Sequence, residues 1–249
     1  MLIYNYQKKI IMITIILTIL FNLFTQSNAY TGEITSYGAM NTNQFCGFID
    51  SSWNYNNLMT AAINGKQIDN SLSCGLCAAV TYNNKTEIVL IDNMCPECKH
   101  GDLDLSQQAW EKLTGNRNFG REKASWEFVT CDRFLKDEKN IILRPYSINY
   151  WWLSINPSNL LCGMEKMFIS FKDENWIEME RKNEKMNGLY FIYHNQVIPP
   201  FKFKLINLYG EEIITENYNE IQQIFNIGKQ FSCSSEDCIV DIPTNLACS

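Results

Sequence analysis

Short apolar-rich runs parted by turn residues recur along most of this chain, and they predict strands. In the N-terminal half the strand-like runs are residues 32–37, 77–82, 86–92 and 126–130. Asn83-Asn84-Lys85 parts the second run from the third and reads as a hairpin turn. Two stretches read as helices instead. Residues 56–64 are closed by Gly65. Residues 106–113 set Leu105, Ala109, Trp110 and Leu113 on one face, with Ser106 as N-cap and Gly115 just past the end. The polar patch Asp137-Glu138-Lys139-Asn140 then interrupts the pattern. Beyond it, runs at 149–156, 165–171, 176–180, 189–194, 201–208 and 212–216 are strand-like, and Phe201-Lys202-Phe203-Lys204-Leu205 alternates cleanly. Regularly spaced short strands make a β-sandwich. The expected organisation is a first domain at 30–136, a linker at 137–142, a sandwich at 143–228 and a cysteine-rich tail at 229–249.

The N-terminus sets the compartment. Lys8 and Lys9 precede an apolar run at residues 10–24, which ends in Ser27-Asn28-Ala29. A basic flank, a short apolar segment and a small-x-small end describe a secretory signal peptide, residues 1–29. The alternative is a membrane anchor, but the run is shorter than the ~20 residues a spanning helix needs. Export implies an oxidising destination and no membrane attachment after cleavage. The even count of 10 cysteines suits disulfides. Cys162, Cys233, Cys238 and Cys248 are expected to staple the tail to the sandwich. Asn84-Lys85-Thr86 is a glycosylation sequon placed in a turn.

Composition narrows the partners. Of 249 residues 46% are apolar, enough for a core, and Lys+Arg 21 against Asp+Glu 27 gives a net charge of −6. There is no basic excess to hold nucleic acid through its phosphates. The same sign speaks against strongly anionic pectin-like targets. Two histidines leave no multi-histidine metal site, and no cofactor is expected. Cys74-Gly75-Leu76-Cys77 and Cys95-Pro96-Glu97-Cys98 would read inside a cell as a zinc ribbon. In an exported chain they read as disulfides. Spacing does not fix the connectivity, and we take Cys46–Cys74, Cys77–Cys131 and Cys95–Cys98 as a working guess. A cysteine nucleophile is disfavoured because pairing consumes the thiol. His100 reads as a solvated loop residue and His194 as structural.

The carboxylates carry the candidate chemistry. Asp92 ends an apolar strand, Asp104 stands just before a helix start, and a loop pinned by Cys95 and Cys98 joins them. Such a loop can bring both carboxylates to one groove, where mutual repulsion raises one pKa while a helix N-terminus and hydrogen bonds hold the other down. The protonated member could donate to a glycosidic oxygen. The plainer reading is a helix cap and a turn residue.

At this point the sequence resembles expansins. The carrying residues are Gly32-Glu33-Ile34-Thr35-Ser36-Tyr37-Gly38, Cys74-Gly75-x-Cys77, Val89-Leu90-Ile91-Asp92-x-x-Cys95-Pro96-x-Cys98, Leu103-Asp104-Leu105-Ser106-x-x-Ala109-Trp110, Trp126-x-Phe128-Val129-x-Cys131 and Asn149-Tyr150-Trp151-Trp152. The resemblance implies an all-β protein, a six-stranded double-psi β-barrel followed by an immunoglobulin-like β-sandwich. It implies a secreted monomer of the cell wall or extracellular matrix that loosens cellulose or a related neutral β-glucan without cutting it. Carried over by position, Asp104 is the essential acid, Asp92 its neighbour across the groove and Thr35 a polar contact. Tyr37, Trp126, Trp151 and Trp152 are the sugar contacts. Met94 stands where some expansins carry a tyrosine. A third sandwich aromatic is missing from 181–187, leaving Tyr190 or Tyr193 as substitutes, while Trp176 reads as core. Adjacent strand residues face opposite sides, so Trp151 and Trp152 share a surface only if a bulge rotates them.

Two other readings stay open. An endo-β-glucanase would use Asp104 as general acid and needs a base on the first strand, where Glu33 is the one carboxylate. A cysteine-rich barwin-like lectin or inhibitor would normally lack the second domain.

Overall fold

The computed structural model describes residues 29–37, 45–48, 59–116, 118, 120–135, 139–147, 149–172, 175–181 and 188–233. The expected signal peptide apart from Ala29, residues 56–58, residues 137 and 138 of the linker, and Cys238 and Cys248 lie outside them. Six strands close a barrel: β1 (Tyr30–Ser36), β2 (Thr60–Asn64), β3 (Cys77–Tyr82), β4 (Lys85–Cys95), β5 (Leu103–Leu105) and β6 (Arg121–Val129), in the order β1-β5-β2-β4-β3-β6. The pairs β1–β5 and β2–β4 are parallel. The β3–β4 turn falls on Asn83 and Asn84, with φ of 46° and 63°, the left-handed conformations that asparagine tolerates in a two-residue hairpin. Helix α1 (Gln107–Thr114) follows β5. Ser106 accepts the Ala109 amide and Gly115 closes the helix at φ 73°, so Ser106 and not Asp104 is the cap.

Residues 60–64 are strand, not helix. All five residues of β2 are buried because the strand lies between β4 and β5. A short apolar run of this kind carries no periodicity to separate helix from strand.

A sandwich follows. Its strands are β7 (Ile142–Ser147), β8 (Leu153–Ser158), β9 (Met164–Phe171), β10 (Ile177–Glu178), β11 (Glu180–Arg181), β12 (Phe191–Tyr193), β13 (Phe201–Asn207), β14 (Glu212–Ile214) and β15 (Phe225–Asn226). One sheet runs β10-β9-β13-β14 and the other β11-β12-β8-β7-β15. Alternate residues Phe201, Phe203 and Leu205 are fully buried between them. The run at 176–180 is two strands in different sheets: the chain crosses at Met179, which is buried and donates its amide to the Met167 carbonyl at 2.8 Å. Residue 142 belongs to β7 rather than to a linker, because Ile141 is buried and pairs with Lys229 and Ile227. Cys162 bonds Cys233, which fixes the start of the tail on the sandwich.

The described residues hold three further disulfides, Cys46–Cys74, Cys77–Cys131 and Cys95–Cys98. Both C-x-x-C pairs are consumed in them, which removes the zinc-ribbon alternative. One apolar core runs through barrel and sandwich together. No helix among the described residues is long and apolar enough to cross a membrane.

Candidate functional site

Ile34 is buried in the barrel, so its neighbours Glu33 and Thr35 turn outward on one face of β1. On the parallel neighbour β5, Leu103 and Leu105 are buried and Asp104 between them turns the same way. Thr35 and Asp104 are register partners, and the Thr35 hydroxyl donates to Asp104 Oδ1 at 2.6 Å. Burial raises the Asp104 pKa above the ordinary carboxylate value. The Thr35 bond opposes the rise, Glu97 adds to it and Arg121 lowers it.

Asp92 is not the end of its strand. β4 runs three residues further to Cys95, and the register against β2 slips between Ala61 and Ala62, which leaves Asp92 as a bulged residue. The Cys46 amide binds its carbonyl at 3.0 Å. At 5% exposure, with Oδ1 lacking any partner among the described residues, Asp92 does not face a sugar across an open groove; it lies beneath the surface. Burial lifts its pKa to about 8, partly offset by the Thr60 hydroxyl against its carboxyl group and by a backbone contact. The expected split, one carboxyl raised and one held down, is therefore absent: both are raised, and desolvation leads in each.

Tyr37 connects the two. It follows β1, its amide donates to the Leu105 carbonyl at 3.2 Å, and its hydroxyl lies 3.0 Å from Thr60 Oγ1. Burial, then the Asp92 and Asp104 charges, push the phenol well above its ordinary pKa. Thr35, Tyr37, Thr60, Asp92 and Asp104 thus form one cluster. Thr60 went unread in the sequence because it lies in the run taken for a helix.

Asp102 has a structural task. Its carboxylate accepts the Glu33 amide at 2.7 Å and the Lys99 amide at 3.0 Å, tying the disulfide-pinned loop to β1. Glu33 is ion-paired with Arg121.

Trp126, expected as a sugar contact, is buried instead of presented at the surface. It is 2% exposed, stacks on Tyr30 with centroids 4.4 Å apart, and donates its indole N–H to the Gly101 carbonyl at 2.8 Å. Tyr190 and Tyr193 are buried too, so neither supplies the third sandwich aromatic. Trp151 is 69% exposed and Trp152 only half-buried. Tyr146 at 69% and Tyr150 at 41% exposure flank Trp151 around the β7–β8 hairpin. Asn84 is exposed in its turn.

The closed barrel followed by a two-sheet sandwich is the expansin fold, a double-psi barrel with an immunoglobulin-like partner. Among solved structures, the apo expansin of Clavibacter michiganensis matches with TM-score 0.69 at 20% identity, covering 81% of this chain and 97% of that one. A point mutant of that expansin in complex with cellohexaose matches with TM-score 0.69 at 19% identity over the same shares. A Streptomyces papain inhibitor matches 41% of this chain at 28% identity with TM-score 0.33, too low to carry an argument. No protein-family model matches the sequence, and no curated protein does.

Proposed function

We propose that the protein binds a neutral β-glucan such as cellulose along the outer face of the barrel at Asp104, and on the exposed aromatics of the sandwich, and loosens the glucan network without hydrolysing it. The observation that carries this is the Thr35–Asp104 pair on the outward face of β1 and β5, in a fold shared with an expansin crystallised with cellohexaose. Asp104 hydrogen-bonds sugar hydroxyls. Tyr146, Tyr150 and Trp151 supply apolar faces for stacking on sugar rings. The setting is extracellular: residues 1–29 are removed on export, four disulfides support an oxidising compartment, and Asn84 carries a glycan. The protein acts as a monomer, with a wall or matrix polysaccharide as its partner.

One observation favours hydrolysis as a second reading. Glu33 shares the outward face with Thr35 and stands two residues along and one strand over from Asp104, roughly 8 Å, a spacing compatible with an inverting acid–base pair. Against it, the Glu33 carboxylate is already engaged by Arg121 in an ion pair.

One experiment separates the readings. Retention on insoluble cellulose and release of reducing sugar are measured on the same sample. Retention without sugar release, with loosening of a cellulose network lost in Asp104→Asn, supports the proposal. Retention falling in Tyr146→Ala plus Trp151→Ala supports the aromatic surface. Steady sugar release abolished by Glu33→Gln makes the protein a glucanase and overturns the first reading.

A further inference from the structure

Tyr37, Thr60 and Asp92 reach the same point from three elements. Tyr37 follows β1, Thr60 opens β2 and Asp92 is the bulge of β4. Thr60 is the most constrained. Its amide donates to Ser106 Oγ at 3.1 Å and its carbonyl accepts the Ser106 amide at 2.9 Å, so the N-cap of α1 clamps its backbone from both sides. That clamp places the Thr60 hydroxyl 3.0 Å from the Tyr37 phenol and against the Asp92 carboxyl.

We propose that Thr60 is a positioning residue that links the buried Asp92 carboxyl to the Tyr37 hydroxyl, and thereby sets whether Tyr37 donates or accepts a hydrogen bond at the sugar beside Asp104. This rests on the glucan reading above. The logic is the ambivalence of hydroxyl groups, each with one proton and two lone pairs. With Asp92 protonated, its O–H donates to Thr60 Oγ1, Thr60 donates to the phenol oxygen, and the phenol proton points outward as a donor. With Asp92 ionised, the order reverses. Thr60 donates to the carboxylate, Tyr37 donates to Thr60, and the phenol offers only lone pairs. A single proton, retained by Asp92 or released to solvent, inverts the chain, and no bond between heavy atoms changes. The raised pKa of Asp92 places the donor form at neutral pH and below. The charged groups facing this chain are Asp104 on β5, which acts on Tyr37, and Glu97 and Arg121, which act on Asp104.

The test uses cellohexaose as probe, titrated calorimetrically into the full chain from pH 5 to pH 9. Wild type should lose affinity as Asp92 ionises. Thr60→Val and Tyr37→Phe should bind roughly threefold to tenfold more weakly at pH 6, the worth of one neutral hydrogen bond, and lose the high-pH step. Thr60→Ser should keep it. Asp104 and its Thr35 bond are kept in every variant, so their contribution is common to the comparison. A substrate-free arm records the infrared band of a protonated carboxyl at pH 6. The band should vanish in Asp92→Asn and shift in Thr60→Val. A Thr60→Val protein with the wild-type pH profile, or with an unmoved carboxyl band, overturns the proposal. Wild type that binds no cellohexaose at any pH sinks the glucan reading instead, and the infrared arm still decides the Asp92–Thr60 link.

Discussion

Replacing Asp92 by asparagine should stabilise the protein, and by an amount that depends on pH. The side chain is buried and its pKa is raised from an ordinary value near 3.8 to about 8 by desolvation. For a carboxyl raised on folding, the stability it contributes is intact below the unfolded-state pKa and is lost as pH climbs to the folded one. Between about pH 4 and pH 8 the unfolded chain has released the proton and the folded chain still holds it. Each pH unit in that window removes about 1.4 kcal/mol. Asparagine has the shape of the protonated acid and does not titrate. The stability difference between Asp92→Asn and wild type should therefore grow by about 3 kcal/mol from pH 5 to pH 7 and level off above about pH 8. Any penalty for burying the new amide group is constant with pH and shifts the curve without changing its slope. Urea unfolding at half-unit pH steps, with the m-value compared between proteins, measures this directly. Parallel stability curves for the two proteins would refute the burial argument and leave Asp92 an ordinary ionised carboxylate.

Two further outcomes test what positions the site. Gly32→Ala should cost roughly 3 kcal/mol or more, because the added Cβ would lie 2.3 Å from the Gly101 oxygen and 2.4 Å from its carbonyl carbon, both backbone. Gly115→Ala, with open space but φ +73°, should cost only about 1 kcal/mol, and thermal melting distinguishes them. Cys77 and Cys131 are separated by 54 residues and Cys95 and Cys98 by 3, so loop closure assigns about 4 kcal/mol to the first pair and about 2 kcal/mol to the second. Paired serine substitutions should reproduce that order, and the reverse order would point to strain or residual unfolded-state structure.

Much of this was legible in the sequence where local chemistry and tertiary placement agree. The Asn83-Asn84 turn and the Ser106–Gly115 pair of helix caps both lie where residue type alone puts them, because their hydrogen bonds are local. The Thr35–Asp104 pairing was legible only through the expansin resemblance, since the two residues lie on strands far apart in sequence. What escaped was decided by burial. The all-buried β2 has no periodicity, so it looked helical and hid Thr60. Alternation shows that Trp126 and its neighbours face opposite ways but not which way is inward, and the barrel took Trp126. Tyr146 was missed because Pro145 demotes its run as a strand; β7 accommodates the proline at a register shift between Pro145 and Ser147. Asp92 read as a strand end because a bulge, unlike a turn, leaves no mark in composition.

Barrel and sandwich also meet through the residue that supports Asp92. Cys46 is bonded to Cys74 in the barrel loop, and its amide holds the Asp92 carbonyl. Its own carbonyl accepts the Leu189 amide at 3.0 Å and the Asn156 side-chain amide at 3.3 Å, both from the sandwich. Asn156 spends its second contact on the Leu189 carbonyl at 2.7 Å. On the same interface Arg181, at the end of β11, is stacked on Phe191, donates to Ser71 Oγ of the barrel at 3.0 Å, and hydrogen-bonds the Met164 and Glu165 carbonyls. Burial lowers its pKa to about 10 while Glu165 and Asp69 oppose the shift, so it stays charged throughout the physiological range. These groups are desolvated and directional, and sliding one domain over the other would strand several of them without partners at once. The outward face carrying Asp104 and the hairpin carrying Tyr146 and Trp151 are therefore held as parts of one body. On the proposed reading, a glucan chain gripped by the sandwich would meet Asp104 at a fixed offset, and the bulge beneath the site is braced by the very contacts that fix that offset.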